Sequence, residues 1–223
     1  VEIIVYRQPK DTPSELALTL QSIETAKQCG IQVAVKVWEH SSPVSLVSFS
    51  NALIKSSSFE WLLFVRSGDE LTQCGLLMAY IEMIKEPEKK AIYTDKMLRS
   101  QGGGIETKFL PDFNHDLLIS FPWLMSNHWF FKRDLLIELS GFDESAGQFF
   151  ELDFILKLVS AQQHACIHHL AEPLLIALEP DAWVEEPAER ALIEQYIVES
   201  GYPNAQVLQQ SPRLYRTLYL QAE

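Results

Sequence analysis

Cysteine is scarce in this sequence: Cys29, Cys74 and Cys166 are few, odd in number and widely spaced. That pattern argues against a disulfide framework and a zinc site, and points to a reducing compartment. No apolar run approaches the ~20 residues that a membrane-spanning helix needs. The first residues also lack the layout of a secretory signal. Positive charge is short too, with 18 Lys and Arg against 30 Asp and Glu, a formal charge of −12. A nucleic-acid-binding surface needs a basic stripe, so nucleic acid is not expected as a partner. Much of the acidic excess lies between Glu179 and Glu199, where seven acids accompany Arg190 alone, as on a solvated helix face. There is no internal repeat and no low-complexity segment. The G-x-G-x-x-G fingerprint is missing after the first strand-like segment, which argues against an NAD-type Rossmann domain.

What is present is ordinary globular material, 47% hydrophobic and 22% charged, in a chain of 223 residues that can bury a sizeable core. It begins on the strand-like VEIIVY without a methionine, as a piece cut from a longer protein would. Ile3–Tyr6 reads as the first strand. Thr12-Pro13-Ser14-Glu15 is a helix start, with Thr12 as N-cap, Pro13 in the first turn and Glu15 closing a capping box. Ile31–Trp38 predicts the second strand and Val44–Ile54 a weaker helix. Trp61–Val65 is continuously apolar, as a strand buried on both faces would be. It stops abruptly at Arg66-Ser67-Gly68-Asp69-Glu70, and a helix is expected from Thr72 to Lys85. Ala91–Thr94 reads as a short strand emptying into Asp95-Lys96-Met97, with a flexible turn at Gly102-Gly103-Gly104. Alternating strands and helices predict a mainly parallel, doubly wound sheet. Ligands bind such sheets at the carboxyl ends of the central strands, which makes Arg66–Asp69 the expected active-site edge.

The second half differs. Phe109–Phe131 is aromatic-rich and is not one element. Short helices are expected at Asp134–Leu139, ended by Gly141, and at Phe150–Ser160. Ala165–His168 and Leu174–Leu178 read as separate strands, Pro187–Ser200 as a helix, and Val207–Leu220 as a hairpin turning at Ser211-Pro212. His164, His168 and His169 are not expected to share a metal ion, because two of them alternate across a strand and the third precedes it.

Two segments together resemble the family 2 glycosyltransferases of the GT-A fold, of the type that builds bacterial surface polysaccharides. One is IYTDKMLRSQGGGIETKFLPDFNHDLLIS, Ile92–Ser120, similar to a family run of D-x-D-like acids, a glycine turn and a K-P-D-[WF]-x-x-D-L-L stretch. The other is FFKRDLLIELSGFDESAGQFFELDFILKLV, Phe130–Val159, similar to R-R-x-L-x-x-x-x-G-G-F followed by an acidic pair, with Lys132 and Ser140 as departures. The resemblance implies an α/β, GT-A-like fold: a mainly parallel central sheet flanked by helices over 1–180, with a helix and hairpin appendage over 181–223 packed on the same domain. It implies transfer of a sugar from a UDP-, GDP- or dTDP-sugar to a glycan or lipid-linked acceptor in O-antigen or capsule synthesis. The expected setting is the cytoplasm, at the inner face of the membrane, with further glycosyltransferase domains fused to the chain.

Carried over residue by residue, the resemblance makes Glu151 the catalytic base, at the start of its helix. Asp153 points about 200° away around that helix and belongs either at the acceptor or to a cap or ion pair. Trp38, Glu39, Arg66, Asp69 and Asp95 fall at the donor. His128 and Trp129 fall near the acceptor. The carboxylates for Mg²⁺ or Mn²⁺ would be Asp69 and Asp95, but the family's D-x-D-D is here Arg66-Ser67-Gly68-Asp69, and its D-x-D is Asp95-Lys96-Met97. Two readings follow. Either the enzyme works without a firmly held metal, Arg66 and Lys96 neutralising the diphosphate, or the domain is a silent module that binds carbohydrate or serves assembly. Bland roles stand beside the sharp ones: Trp38 as a surface ring under a loop, His128 as a buried histidine, Trp129 as core.

Overall fold

The structure is a computed structural model that describes residues 1–100, 102–161, 164–179 and 184–219. Along the chain run β1 (Glu2–Arg7), α1 (Pro13–Lys27), β2 (Ala34–Glu39), α2 (Leu46–Ser56), β3 (Trp61–Arg66), β4 (Glu70–Leu71), α3 (Gly75–Lys85), β5 (Ala91–Arg99) and β6 (Ile105–Lys108). There follow α4 (His115–Ser120), α5 (Pro122–Met125), β7 (Phe130–Lys132), α6 (Arg133–Glu138), α7 (Phe150–Ser160), β8 (Ile167–Leu178), α8 (Pro187–Glu199), β9 (Gln206–Ser211) and β10 (Leu214–Leu218). The chain divides into two compact units. The first comprises Val1–Phe113, His128–Gly141 and Ala165–Glu179; the second comprises Asn114–Asn127, Phe142–His164 and Pro180–Glu223.

All of the first unit's strands form one eight-stranded sheet, ordered β2-β1-β3-β7-β5-β8-β4, with β6 added beside β5. β2, β1, β3, β5 and β8 run in one direction, and β7, β4 and β6 run against them. The expected mainly parallel α/β sheet is therefore present, with antiparallel insertions that the strand–helix alternation did not announce. β3 lies at its heart: Trp61 to Val65 are all buried, and exposure begins at Arg66. α1 starts as predicted, with the Thr12 side chain accepting from the Glu15 amide and the Glu15 carboxylate accepting from the Thr12 amide. At Gly75 an added Cβ would meet the Leu174 backbone at 2.7 Å, so glycine lets the start of α3 lie directly on β8.

Two strand expectations need correction. β5 does not stop at Thr94; it continues to Arg99, paired with β6 on one side and β8 on the other. Asp and Lys are poor strand formers, but pairing on both edges overrides that preference. The two expected strands around Ala171-Glu172-Pro173 are one strand, β8. Pro173 sits opposite Asp95 at a register irregularity, where a missing ladder N–H is tolerated.

The second unit holds α4, α5, α7, α8 and the β9–β10 hairpin. The hairpin turns at Pro212-Arg213, with Arg213 in the left-handed region at φ 59°, close to the predicted turn; Leu220, its expected end, lies outside the described residues. Arg213 and Tyr215 both bond the Glu189 carboxylate, which is fully buried on α8, and Arg213 also lies 5.7 Å above the Phe149 ring. That paired, hydrogen-bonded charge ties the hairpin to the helix. Among the described residues no helix is long and apolar enough to cross a membrane.

Candidate functional site

Register brings the site together in the first unit. Parallel pairing sets Tyr6 beside both Trp38 and Arg66, and Arg7 beside Glu39, so the carboxyl ends of β1, β2 and β3 lie side by side. The loop leaving β1 folds back over this rim. Its organiser is Asp11, 6% exposed, whose carboxylate accepts the Gln8 amide at 2.8 Å and the Arg66 Nη2 at 2.5 Å, with Nε at 3.4 Å. Arg7 donates from Nε and Nη2 to the Asp11 carbonyl, and its Nη1 stands 3.8 Å from Glu39. An open cleft of about 320 Å³ results, lined by Arg7, Gln8, Pro9, Glu39, His40 and Ser41. Arg7 and the half-exposed Glu39 carboxylate line this concavity, and Arg66 joins Arg7 through Asp11. That is a donor set for phosphate oxygens beside an acceptor for hydroxyls.

Of the residues expected at the donor, Glu39 lines this cleft and Arg66 stands beside it through Asp11, with its side chain 45% exposed. Trp38 lies on the neighbouring position but gives its indole N–H to the Val44 carbonyl at 2.9 Å, the role of a ring packed under a loop. Asp69 closes the turn after β3. Its Oδ2 accepts the Arg66 amide at 3.1 Å and lies 2.9 Å from His128 Nε2. Gly68 makes the turn possible at φ 103°, a region side chains avoid, and its amide donates to the Thr19 hydroxyl. His128 is itself held at φ 65°, uncommon for a residue with a Cβ.

Asp95 is 1% exposed within β5. Its Oδ1 accepts the Leu110 amide at 2.8 Å and lies 3.0 Å from His169 Nε2. His169 stacks on Tyr93 at 4.8 Å, and Tyr93 stacks on Trp129 at 4.8 Å on its way to donating its hydroxyl to the Pro111 carbonyl. Burial, reinforced by Asp112 and Asp95, pushes the Tyr93 phenol far above its ordinary pKa and keeps it a donor. His168 faces the other way, 3.2 Å from Glu82, as strand alternation requires. Two corrections follow. Trp129, expected at the acceptor, is fully buried and stacked against Tyr93 and Phe131, so it offers no ring face to a sugar. Lys96, expected to help neutralise a diphosphate, is 4% exposed inside β5.

A divalent cation needs hard oxygen ligands with lone pairs to spare. Asp69 and Asp95, the two expected ligands, are buried and already bonded to an imidazole and a backbone amide each. Among the described residues no group of three or more His, Cys, Asp or Glu is arranged around a metal position. The residues present do not fit the ion.

Glu151 and Asp153 belong to the second unit, in the first turn of α7. Glu151 is 4% exposed. Asp153 is half-buried, and burial, reinforced by Asp143 and opposed by Lys157, raises its pKa above the usual 3.8. A raised carboxyl pKa means the folded chain holds its proton more tightly than the unfolded one. Stability therefore falls as pH rises from 3.8 through the folded value, and that cost persists at neutral pH. Asp153→Asn removes it: the melting temperature at pH 7 is expected to rise by about 2 °C, with no gain at pH 3. Thermal melts at the two pH values check this.

Sequence reasoning missed Arg7, Gln8, Asp11 and His40. The usable signal was positional, since the residues just after β1 flank the end of β3 in any sheet of this kind.

No family model matches the chain. Uncharacterized protein y4gI of Sinorhizobium fredii is 26% identical over 181 residues, 76% of this chain; the match spans about a fifth of that relative, 20% of its length. Among solved structures, S. aureus TarS 1–349 in complex with UDP aligns at TM-score 0.59 and 14% identity, over 88% of this chain and 65% of that one. The same protein in complex with UDP-GlcNAc gives 0.56 and 14%, over 89% and 66%. Mycobacterium tuberculosis glucosyl-3-phosphoglycerate synthase in complex with Mg²⁺ and UDP gives 0.53 and 12%, over 99% and 87%. At these identities the likeness is one of fold: the chain has the GT-A-like glycosyltransferase fold expected from its sequence.

Proposed function

We propose that this chain is a glycosyltransferase domain that takes a sugar from a nucleoside-diphosphate donor held at the rim of β1, β2 and β3. The observation that carries the proposal is the Arg7–Asp11–Arg66 cluster beside Glu39, bordering a cleft in a GT-A-like fold. Glu39 would accept ribose or base donors, and the arginines would face the diphosphate. Glu151 would be the base, a role supported by its place in the acidic pair of the first turn of α7. In the reaction the acceptor oxygen bonds the sugar's anomeric carbon, the bond from that carbon to the diphosphate breaks, and the hydroxyl proton passes to a general base. Neighbours of the fold bind UDP and UDP-GlcNAc, which favours a uridine donor. The acceptor would be a glycan or lipid-linked hydroxyl in bacterial O-antigen or capsule synthesis, made at the inner face of the membrane.

Calorimetry with UDP, GDP and dTDP tests the donor site. UDP binding is expected, and Arg66→Ala should weaken it about tenfold, the loss of one charge-assisted contact. Failure of all three nucleotides to bind would sink the proposal. A second reading, a silent module that binds carbohydrate or serves assembly, is favoured by the burial of Asp69 and Asp95. Tight UDP binding without any turnover of UDP-sugar would select it.

A further inference from the structure

We infer that Asp69 and Asp95 are anchors in two Asp–His couples rather than metal ligands, and that the nucleoside diphosphate binds here without a divalent cation. The inference rests on the proposed donor site. It starts from what the carboxylates already do. Asp69 Oδ2 takes an N–H from Arg66 and faces His128 Nε2; Asp95 Oδ1 takes an N–H from Leu110 and faces His169 Nε2. Both acids are at most 4% exposed. Each acid makes both bonds through one oxygen, so a cation would find at most one further oxygen on each, on residues almost closed to solvent, a poor set for an ion that takes about six oxygen ligands.

The couples have identifiable work. His128, Asp69 and the Arg66 amide form a chain of bonds that fixes the turn from which the Arg66 side chain leaves β3. His169 and Asp95 fasten the irregular stretch of β5 to the loop at Leu110, and the Tyr93 hydroxyl fastens the next residue, Pro111. His128 and His169 are therefore positioning residues. The positive charge then comes from Arg66. Its Nε and Nη2 are oriented by the buried Asp11, and 45% of the side chain stays exposed. A guanidinium held in this way is a fixed fork for phosphate oxygens, which an ion would otherwise bridge.

UDP titrated into the chain in EDTA, in Mg²⁺ and in Mn²⁺ tests this, alongside electron paramagnetic resonance of Mn²⁺ with protein and UDP present. We expect dissociation constants equal within twofold in the three buffers, and a Mn²⁺ signal matching UDP alone. Tightening of tenfold or more by Mn²⁺, reversed by EDTA, overturns the inference. If UDP fails to bind in every buffer, the donor-site proposal falls, and the couples are judged on Mn²⁺ with protein alone. Sub-millimolar Mn²⁺ binding that Asp69→Asn or Asp95→Asn abolishes, in a variant still folded by circular dichroism, overturns the assignment. Absence of such binding, together with a lower melting temperature in both variants, supports it.

Discussion

Truncation of Trp129 to alanine is expected to destabilise the chain by about 3–5 kcal/mol. The ring has no exposed surface and sits in an aromatic stack: Tyr93 at 4.8 Å and 25°, Phe131 at 6.0 Å and 17°, with Phe113 edge-on at 6.2 Å. Removing it takes away the apolar transfer energy and leaves a cavity beside β5 and β7 that flanking strands cannot close. A typical domain has only about 5–15 kcal/mol in hand, so much of the native margin would go. The second casualty would be Tyr93, which loses one stacking partner while still bonding Pro111 and His169's face. Urea unfolding followed by circular dichroism should show a midpoint lowered by about 2 M at unchanged slope. Trp129→Phe should recover more than half of that, since a smaller ring still fills the stack. A ligand-facing Trp129 predicts the reverse: an unmoved midpoint and a lost acceptor affinity.

That contrast shows where the sequence was legible. Features written in neighbouring residues came through: the Thr12–Glu15 capping box, the apolar run of β3, and the helix stop at Gly141, which does sit at φ 72°. The carboxyl end of β3 does lie at the rim beside that of β1, because a buried strand must empty into polar residues there. What pairs with what was not legible. Arg66 is completed by Asp11, 55 residues away, and Asp69 by His128, 59 away; Asp95 meets His169 across 74. Each pair depends on sheet register, which no local periodicity encodes. Asp95-Lys96-Met97 read as a loop because charged residues seldom extend a strand, whereas both edges of β5 are paired. Trp129 follows a residue at φ 65° and stands just before a three-residue strand, too short for alternation to tell core from solvent.

Replacement of Glu151 by glutamine is expected to lower turnover of UDP-sugar by 10²–10⁴-fold, the usual worth of a general base. UDP affinity should change less than twofold, because a base acts on the acceptor's proton and not on the donor's phosphates. Glutamine keeps the shape and one hydrogen-bonding oxygen but cannot take a proton, so a loss confined to kcat reports chemistry rather than binding. Glu151 is 4% exposed in the first turn of α7, between Phe150 and Leu152, both buried. Asp153→Asn is the control: it lies in the same turn but points about 200° away around the helix, and turnover should stay within threefold. UDP release from UDP-GlcNAc, with water as the acceptor, measures all of these without knowing the natural one. Should Glu151→Gln release UDP as fast as the unaltered chain, the carboxylate is part of the helix's packing and the base lies elsewhere. Should it lose UDP affinity and melting temperature together, Glu151 holds the fold, and the kcat effect carries no mechanistic meaning.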